Sequence, residues 1–354
     1  MSGTSSPDPE VLIRVQGRVG RLILNRPKAL HALTTDMCRA MTDALMTWRE
    51  DPGVVLVLLD HAGERGFCSG GDVRKAAESA GGDGAAAREF FFVEYRLNEL
   101  IFRYPKPIVA VMDGVTMGGG IGISRPARYR VATERTVFAM PEAGIGLFPD
   151  VGAGWYLSRT PDHIGIWLAL TGERLGPADG ELIGLATDYV ESARIAELKA
   201  AIVAEPADVE RLLTEFEGDA GRPPLAMHQD EIRRIFGLGG VEAIFAALEA
   251  AGTPWAAAQL AALKTRSPQT LKVAFRQLLH GRQAKSFAEE MEMEYRIAAR
   301  VALRPDFREG VRAVLVEKDQ APRWDPPSLS GVSETMLEEI FAPLPAGEAW
   351  TPLP

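Results

Sequence analysis

Cysteine is nearly absent from this chain, since Cys38 and Cys68 are the only two among its 354 residues. Neither lies in a C-x-x-C pair or beside a histidine, so the sequence predicts no disulfide framework and no metal site. Sparse cysteine is typical of a reducing compartment, and we expect the cytoplasm. Residues 1–10 lack the basic flank and apolar stretch of a signal peptide and are predicted to be disordered.

Long apolar runs are missing too, because no stretch approaches the ~20 residues of a membrane-spanning helix. The 39 Lys and Arg against 48 Asp and Glu give a net charge of −9, which argues against a nucleic-acid partner. The five histidines are scattered, and the chain has no G-x-S-x-G elbow, dinucleotide fingerprint or Walker loop. Serine hydrolysis of that type and nicotinamide chemistry therefore lose support.

What the sequence does contain is an alternation of apolar strands and amphipathic helices. Val11–Val15 and Val19–Leu24 predict a β-hairpin, and Thr34–Arg49 carries apolar residues on one helical face. Continuous apolar runs at Val54–Leu59 and Pro107–Met112 predict strands that are covered on both faces. This order of elements is typical of an α/β protein.

The organisation of the chain changes near residue 190. Residues 11–190 are predicted to form the core that binds and converts the substrate, and 191–340 a helical C-terminal region. A Pro-rich tail follows at 341–354. Within the core, the small residues and glycines of Ala76–Ala87 predict a mobile surface loop, with a helix after it from about Arg88 to Ile101.

Two glycine runs could carry chemistry. The first is Phe67–Asp72 and the second is Met117–Gly122, each placed after an apolar strand. Glycines allow main-chain N–H groups to approach a ligand closely, and two such groups from separate loops could form an oxyanion hole. Taken alone, each run is more often explained by a structural turn.

Three carboxylates in apolar surroundings are further candidates. Glu142 and Asp150 lie eight residues apart in a Gly/Pro-rich segment, where burial would raise their pKa towards the range of acid–base catalysis. A helix cap and a turn explain these two residues equally well. Glu94 follows three phenylalanines and a valine on a predicted helix, and alone it is better explained as part of the solvated face.

Five motifs occur together in a specific order and resemble the crotonase (enoyl-CoA hydratase/isomerase) superfamily. They are Asn25–Leu30, Phe67–Asp72, Lys106–Ala110, Met117–Gly120 and Met140–Glu142. The resemblance implies a spiral of ββα repeats with a helical C-terminal region, which often mediates trimer contacts. It also implies an oxyanion hole made by the N–H groups of Gly71 and Gly119.

The acids point to one branch of that superfamily. Enoyl-CoA hydratases use two glutamates, of which the second matches Glu142, whereas the first falls at Gly122 and is missing. The remaining motifs resemble the 3-hydroxyisobutyryl-CoA hydrolases, and they extend the resemblance to about residue 325. They are Phe91–Asn98, Gly146–Gly152, Ser267-Pro268, Met293–Arg296, Asp306–Leu315 and Lys318-Asp319. This implies that Glu94, Gly119, Glu142 and Asp150 contact the acyl group.

The function that the resemblance implies is hydrolysis of a short 3-hydroxyacyl-CoA, most closely 3-hydroxyisobutyryl-CoA of valine catabolism. Glu142 attacks the carbonyl or activates a water, and the sequence leaves both routes open. Lys28 is expected to contact the coenzyme A phosphates, with His31 replacing a common asparagine nearby. Coenzyme A is part of the substrate, so no other cofactor is expected. An enoyl-CoA isomerase or hydratase and a non-catalytic acyl-CoA binder remain the alternatives.

Overall fold

The computed structural model describes residues 8–79 and 81–354. The strands in these residues are β1 (Val11–Gln16), β2 (Val19–Leu24), β3 (Leu56–His61), β4 (Gly66–Cys68), β5 (Ile108–Met112), β6 (Val115–Met117), β7 (Tyr129–Ala132), β8 (Val137–Ala139) and β9 (Asp188–Tyr189). They form one sheet in the order β1-β2-β3-β5-β7-β9 and a second in the order β4-β6-β8. The predicted hairpin is confirmed, because β1 and β2 pair antiparallel, while the other neighbours are parallel.

Helices cover the sheets and make up most of the chain after residue 190. They are α1 (Thr35–Glu50), α2 (Val73–Ser79), α3 (Ala85–Phe102), α4 (Gly119–Ser124), α5 (Ala153–Leu157), α6 (Ile164–Thr171), α7 (Pro177–Leu182), α8 (Ile195–Ala204), α9 (Val209–Phe216), α10 (Gln229–Phe236), α11 (Val241–Ala251), α12 (Pro254–Lys264), α13 (Pro268–Gly281), α14 (Phe287–Val301), α15 (Pro305–Val311) and α16 (Glu334–Phe341). A π-helical turn at Arg312–Val316 follows α15. In the described residues, no helix is both long enough and apolar enough to cross a bilayer.

The repeats of the spiral follow from how consecutive strands divide between the two sheets. β3, β5 and β7 each enter the large sheet, and the strand after each one, β4, β6 and β8, enters the small sheet. Helices follow each of these pairs, so the same ββα unit recurs along the chain. The α/β class and the spiral of ββα repeats are therefore confirmed.

Both faces of the large sheet are buried, which explains the continuous apolar runs in its strands. Val19, Leu56 and Leu58 point to one face, where α8 and α9 pack against them. Their neighbours Val57 and Leu59 point to the other face and join the main core with α1 and α3. Strands that are covered on both faces are mostly apolar, and buried polar residues there are paired, as Arg21 is with Asp60 at 2.8 Å.

The predicted mobile loop at Ala76–Ala87 is wrong over most of its length. Its first part belongs to α2, and Ala76 and Ala77 are buried against neighbouring helices. Its last part begins α3 at Ala85, three residues before the predicted start at Arg88. Alanine favours helix more than any other residue, so a small-residue stretch with a buried face became helix instead of loop. Ala80 lies outside the described residues.

Described residues near both ends of the chain contact the folded core. Residues 1–7 of the predicted disordered segment lie outside the described residues, but Glu10 pairs with Arg26 and accepts a hydrogen bond from Thr34 at 2.7 Å. In the Pro-rich tail at 341–354, the Trp350 side chain is buried and its indole N–H donates to the carbonyl of Phe92. The tail therefore packs against α3. The predicted domain boundaries stay a prediction.

Candidate active site

An open cleft of about 850 Å³ brings the candidate residues together. Its lining includes all the residues that the sequence singled out, namely Lys28, Gly71, Glu94, Gly119, Glu142 and Asp150. Arg26, Arg74, Lys75 and Arg266 also line it, and Arg26 is paired with Asp72 of the same lining at 3.0 Å. Residues of the core and of the segment after residue 260 both contribute. The helical C-terminal region is therefore part of the cleft wall.

The two predicted oxyanion-hole glycines are neighbours in space. A Cβ built on Gly119 would lie 3.3 Å from the main-chain nitrogen of Gly71. Neither amide N–H donates a hydrogen bond to another described residue, so both are available to an acceptor in the cleft. Two unpaired N–H groups from separate loops match the geometry of a site that stabilises an oxyanion.

Main-chain pairing holds the Gly71 loop in place. Leu33 forms a β-bridge with Gly71, because its N–H donates to the carbonyl of Gly70 at 2.8 Å and its carbonyl accepts from Asp72 at 2.8 Å. Gly70 has a φ of 113°, which side-chain-bearing residues rarely adopt. The second glycine of this run is therefore presented by a turn that only glycine can form without strain.

Three acidic side chains lie in the same cleft as Gly71 and Gly119, which together with Gly118 are called the glycine cradle. Glu94 lies on α3, Glu142 begins a short 3-10 turn, and Asp150 lies in the following turn. Each is at most 6% exposed. A Cβ on Gly118 would lie 2.6 Å from Glu142 Oε1, and one on Gly119 would lie 2.5 Å from Glu94 Oε1. These two carboxyl groups therefore lie directly against the Gly118–Gly119 backbone.

The hydrogen bonding of the three acids is uneven. Asp150 Oδ2 accepts a hydrogen bond from the Tyr95 hydroxyl at 2.8 Å. Glu94 Oε1 and Glu142 Oε2 are buried and have no hydrogen-bond partner among the described residues. Buried polar atoms are nearly always paired in folded proteins, so unpaired ones in a cleft indicate a place for a ligand.

Burial disfavours the charged form of all three acids. Desolvation, with a smaller contribution from the neighbouring carboxyl groups, raises the pKa of Glu94 and of Glu142 well above the usual value. Desolvation also raises the pKa of Asp150 to about 7, and the hydrogen bond from Tyr95 opposes the rise. Groups that exchange protons near neutral pH are suited to acid–base or nucleophilic chemistry.

Gly122 has no room for the second glutamate that a hydratase of this superfamily would carry. A Cβ built there would lie 2.5 Å from Val151 Cβ and 3.1 Å from Asn98 Nδ2. Val151 has a φ of 55°, an uncommon conformation for a β-branched residue. The turn that carries Asp150 thus places the Val151 side chain where the other carboxylate would stand.

Sequence reasoning missed Tyr95 and a second group of buried acids behind the cleft. Tyr95 follows Glu94 directly, and consecutive helical residues point about 100° apart, so proximity in sequence gave no reason to place both at one site. The other acids, Glu290 and Glu294, lie one turn apart on α14 and are fully buried. Spacing of i and i+4 on an amphipathic helix indicates a shared face but not whether that face is buried.

No group of three or more His, Cys, Asp or Glu side chains is arranged to hold a metal ion in the described part of the chain. That no metal or further cofactor is needed stays a prediction.

Comparison with known proteins settles the family. The family model described as Enoyl-CoA hydratase/isomerase matches residues 19–341. The chain belongs to this family. Curated relatives agree with this, and one from Danio rerio, named "3-hydroxyisobutyryl-CoA hydrolase, mitochondrial", is 43% identical over 96% of this chain and 91% of its own length.

Solved structures of the enoyl-CoA hydratase/isomerase family share the complete fold. A protein from Mycobacterium thermoresistibile, described as a carnitinyl-CoA dehydratase, is 41% identical with a TM-score of 0.92, covering 96% of this chain and 98% of its own. An enoyl-CoA hydratase from Rhodobacter sphaeroides is 40% identical with a TM-score of 0.90, covering 97% and 100%. At this coverage the similarity includes the C-terminal helices.

The predicted cytoplasmic location is contradicted by these comparisons. Curated relatives of about 40% identity over nearly the whole chain are named as mitochondrial proteins. The physical reason for the error is that sparse cysteine indicates a reducing compartment and does not distinguish one such compartment from another.

Proposed function

We propose that this member of the enoyl-CoA hydratase/isomerase family hydrolyses 3-hydroxyisobutyryl-CoA to 3-hydroxyisobutyrate and coenzyme A, a step of valine catabolism. One arrangement supports the proposal: Glu142 lies against Gly118, next to the Gly119 amide that has no partner among the described residues, and Gly122 leaves no place for a second water-holding glutamate. The name and the 43% identity of the Danio rerio relative support the same activity.

The glycine cradle would bind the thioester carbonyl. The N–H groups of Gly71 and Gly119 donate to the carbonyl oxygen, which becomes an oxyanion when the carbon turns tetrahedral. Each donor of this kind contributes about 3–4 kcal/mol to transition-state stabilisation. Both donors are main-chain groups in loops that other contacts hold, so they need little reorganisation during the reaction.

Glu142 would act on the carbonyl carbon. In one route its carboxylate attacks, the C–S bond breaks, and coenzyme A leaves as a thiolate that takes a proton. Water then hydrolyses the resulting mixed anhydride. In the other route Glu142 removes a proton from a water that attacks directly. A burst of coenzyme A before the release of acid, measured by rapid quench, would support the anhydride route, and simultaneous release would support the water route.

Asp150 and Glu94 would select the acyl group. With Oδ2 bound by Tyr95, Asp150 is held in one orientation, and Glu94 presents an unpaired oxygen within the described site. A substrate with a 3-hydroxyl group can bond to these acids, whereas an acyl group without it leaves them unpaired in an apolar environment. Sites of this kind discriminate strongly against analogues that lack the hydroxyl.

Basic residues of the cleft would bind the coenzyme A phosphates. Lys28 lines the cleft with Arg74 and Lys75, and a few such cations can bind phosphates although the net charge of the chain is −9. We propose that the protein does not bind nucleic acid. From the family resemblance we propose a trimer-based homo-oligomer, which analytical ultracentrifugation would test.

A hydratase is the second candidate, because the two solved relatives of about 40% identity are described as a dehydratase and a hydratase. Assays of the purified protein separate the two functions. Hydrolysis releases a free thiol from 3-hydroxyisobutyryl-CoA, whereas hydration removes the enoyl absorbance of methacrylyl-CoA and releases no thiol.

We expect thiol release from 3-hydroxyisobutyryl-CoA and much slower release from isobutyryl-CoA, which differs only in the 3-hydroxyl group. Hydration of methacrylyl-CoA without thiol release from either thioester would overturn the proposal in favour of the hydratase. Conversion of a straight-chain 3-enoyl-CoA to its 2-enoyl isomer, followed by chromatography, would detect an isomerase. Binding of these thioesters without turnover would leave a non-catalytic acyl-CoA binder.

A further inference from the structure

The turn that carries Asp150 has an unfavourable backbone. Val151 has a φ of 55° although it is β-branched, and Gly152 follows with a φ of 90°. A β-branched residue adopts this conformation only where surrounding contacts impose it. The position of the Asp150 carboxyl group therefore depends on whatever holds the next few residues.

A buried carboxylate of the C-terminal region holds them. Glu294 of α14 accepts from the N–H of Gly152 at 2.7 Å and from the N–H of Gly154 at 3.1 Å. Gln277 of α13 donates to Glu294 Oε1 at 2.9 Å and to the carbonyl of Pro149 at 2.8 Å. These bonds fix the main chain on both sides of Asp150 and Val151.

Glu294 itself does not reach the substrate. It is completely buried and is not among the residues that line the cleft. Any effect on the reaction is therefore indirect, and the hydrogen bonds above make the turn the direct contact between Glu294 and the site. A displacement of a reacting or binding group by about 1 Å can cost about 10²-fold in rate.

The neighbouring Glu290 supplies a natural control. It is equally buried on the same helix, and both its oxygens have no partner in the described chain when both acids are counted as charged. Desolvation raises the pKa of Glu290 to about 8 and that of Glu294 well above its usual value, so the two carboxyl groups can share a proton in a hydrogen bond. An amide at position 290 has both a donor and an acceptor and can replace the Glu290 carboxyl group in that bond.

We propose that Glu294 is a positioning residue for Asp150, so that the C-terminal helices set the selectivity for the 3-hydroxyl group. The inference rests on the proposed function in one respect, the assignment of Asp150 to that hydroxyl. A purely structural role would slow all substrates alike, whereas a positioning role affects the substrate that uses Asp150.

The test compares Glu294→Gln with Glu290→Gln in the full-length protein. In Glu294→Gln an NH₂ group faces one of the two glycine N–H groups, so the turn loses an acceptor. We expect kcat/KM for 3-hydroxyisobutyryl-CoA to fall about 10–100-fold, and that for isobutyryl-CoA to change less than about threefold. Glu290→Gln should stay within about twofold of the wild type on both substrates.

Equal losses on both substrates in Glu294→Gln, or no difference from Glu290→Gln, would overturn the proposal. If Glu294→Gln does not fold, Gln277→Met removes the bonds to Glu294 and Pro149 and should give the same selective loss at about 3–10-fold. If the wild type releases no thiol, the proposed function fails independently. Hydrogen exchange of the Gly152 and Gly154 amides then still tests the turn, and unchanged exchange in Glu294→Gln would refute it.

Discussion

Two groups of buried acids lie on either side of the Asp150 turn, and they differ in what surrounds them. Glu94, Glu142 and Asp150 line the cleft, and two of their oxygens have no partner within the described residues. Glu294, on the far side, accepts three N–H bonds from protein groups. Burial raises the pKa in both groups.

The comparison teaches that a raised pKa does not by itself identify a catalytic acid. Structural carboxyl groups and reactive ones share the same desolvation, since both lie away from water. What separates them is access to a cleft, because oxygens without a partner in the described chain occur in both groups. Glu94, Glu142 and Asp150 line the cleft, whereas Glu290 and Glu294 do not.

The largest expected effect comes from replacing the ionisable carboxyl group of Glu142. Glu142→Gln keeps the size of the side chain but cannot attack a carbonyl or take a proton, so we expect kcat to fall about 10⁴-fold, the upper end for a general base. Glu290→Gln makes the same change at an equally buried acid and should remain within about twofold. Thiol release from 3-hydroxyisobutyryl-CoA measures both. Comparable turnover by the two variants would contradict the assignment of Glu142 as a reactive acid and Glu290 as a structural one.

A smaller loss of kcat is expected when a methyl group is added at Gly119. In Gly119→Ala the new methyl group would lie 2.5 Å from Glu94 Oε1 and 3.3 Å from the Gly71 nitrogen. One oxyanion donor would be displaced, and loss of one donor typically costs about 10²–10³-fold in kcat. Gly176→Ala is the control, because a Cβ there meets no atom of the described residues within 4 Å. A KM effect without a kcat effect would contradict the oxyanion role.

The fold was largely predictable because each strand can be recognised from its own short segment of sequence. The hairpin of β1 and β2 and the helix α1 follow from apolar periodicity and turn residues, which are properties of short segments. The helix α2 was missed, since its alanines and the glycines that follow resemble a loop until Ala76 and Ala77 are seen to be buried. Whether a weakly apolar stretch is buried depends on distant elements, so it cannot be predicted from the sequence of that stretch alone.

The site was predictable in part, through the motif resemblance. Glu94, Glu142 and Asp150 were expected to contact one acyl group, and the structure places all three on one cleft, although their roles stay proposals. Tyr95 and Glu294 were missed because their contacts join residues 55 and 140 or more positions apart. No periodicity within a segment encodes such a contact.

A further expected effect is a difference in how stability depends on pH. Asp150 has a pKa of about 7 in the folded protein and an ordinary value near 3.8 in the unfolded chain. Between these values the unfolded chain releases a proton that the folded protein retains, so rising pH favours unfolding. Asp150→Asn removes this dependence. Its free energy of unfolding relative to the wild type should therefore rise by about 1.4 kcal/mol per pH unit between pH 4 and 7.

The same measurement on Glu290→Gln compares the two groups of acids, because the pKa of Glu290 is raised further than that of Asp150, to about 8. Its relative stability should keep rising between pH 7 and 8, where that of Asp150→Asn no longer changes. Urea unfolding followed by circular dichroism at each pH from 4 to 8 measures both windows. A flat difference for Asp150→Asn would mean that Asp150 is already ionised in the folded protein. The cleft would then solvate that acid, and the contrast between the two groups would be one of access to water rather than of hydrogen bonding.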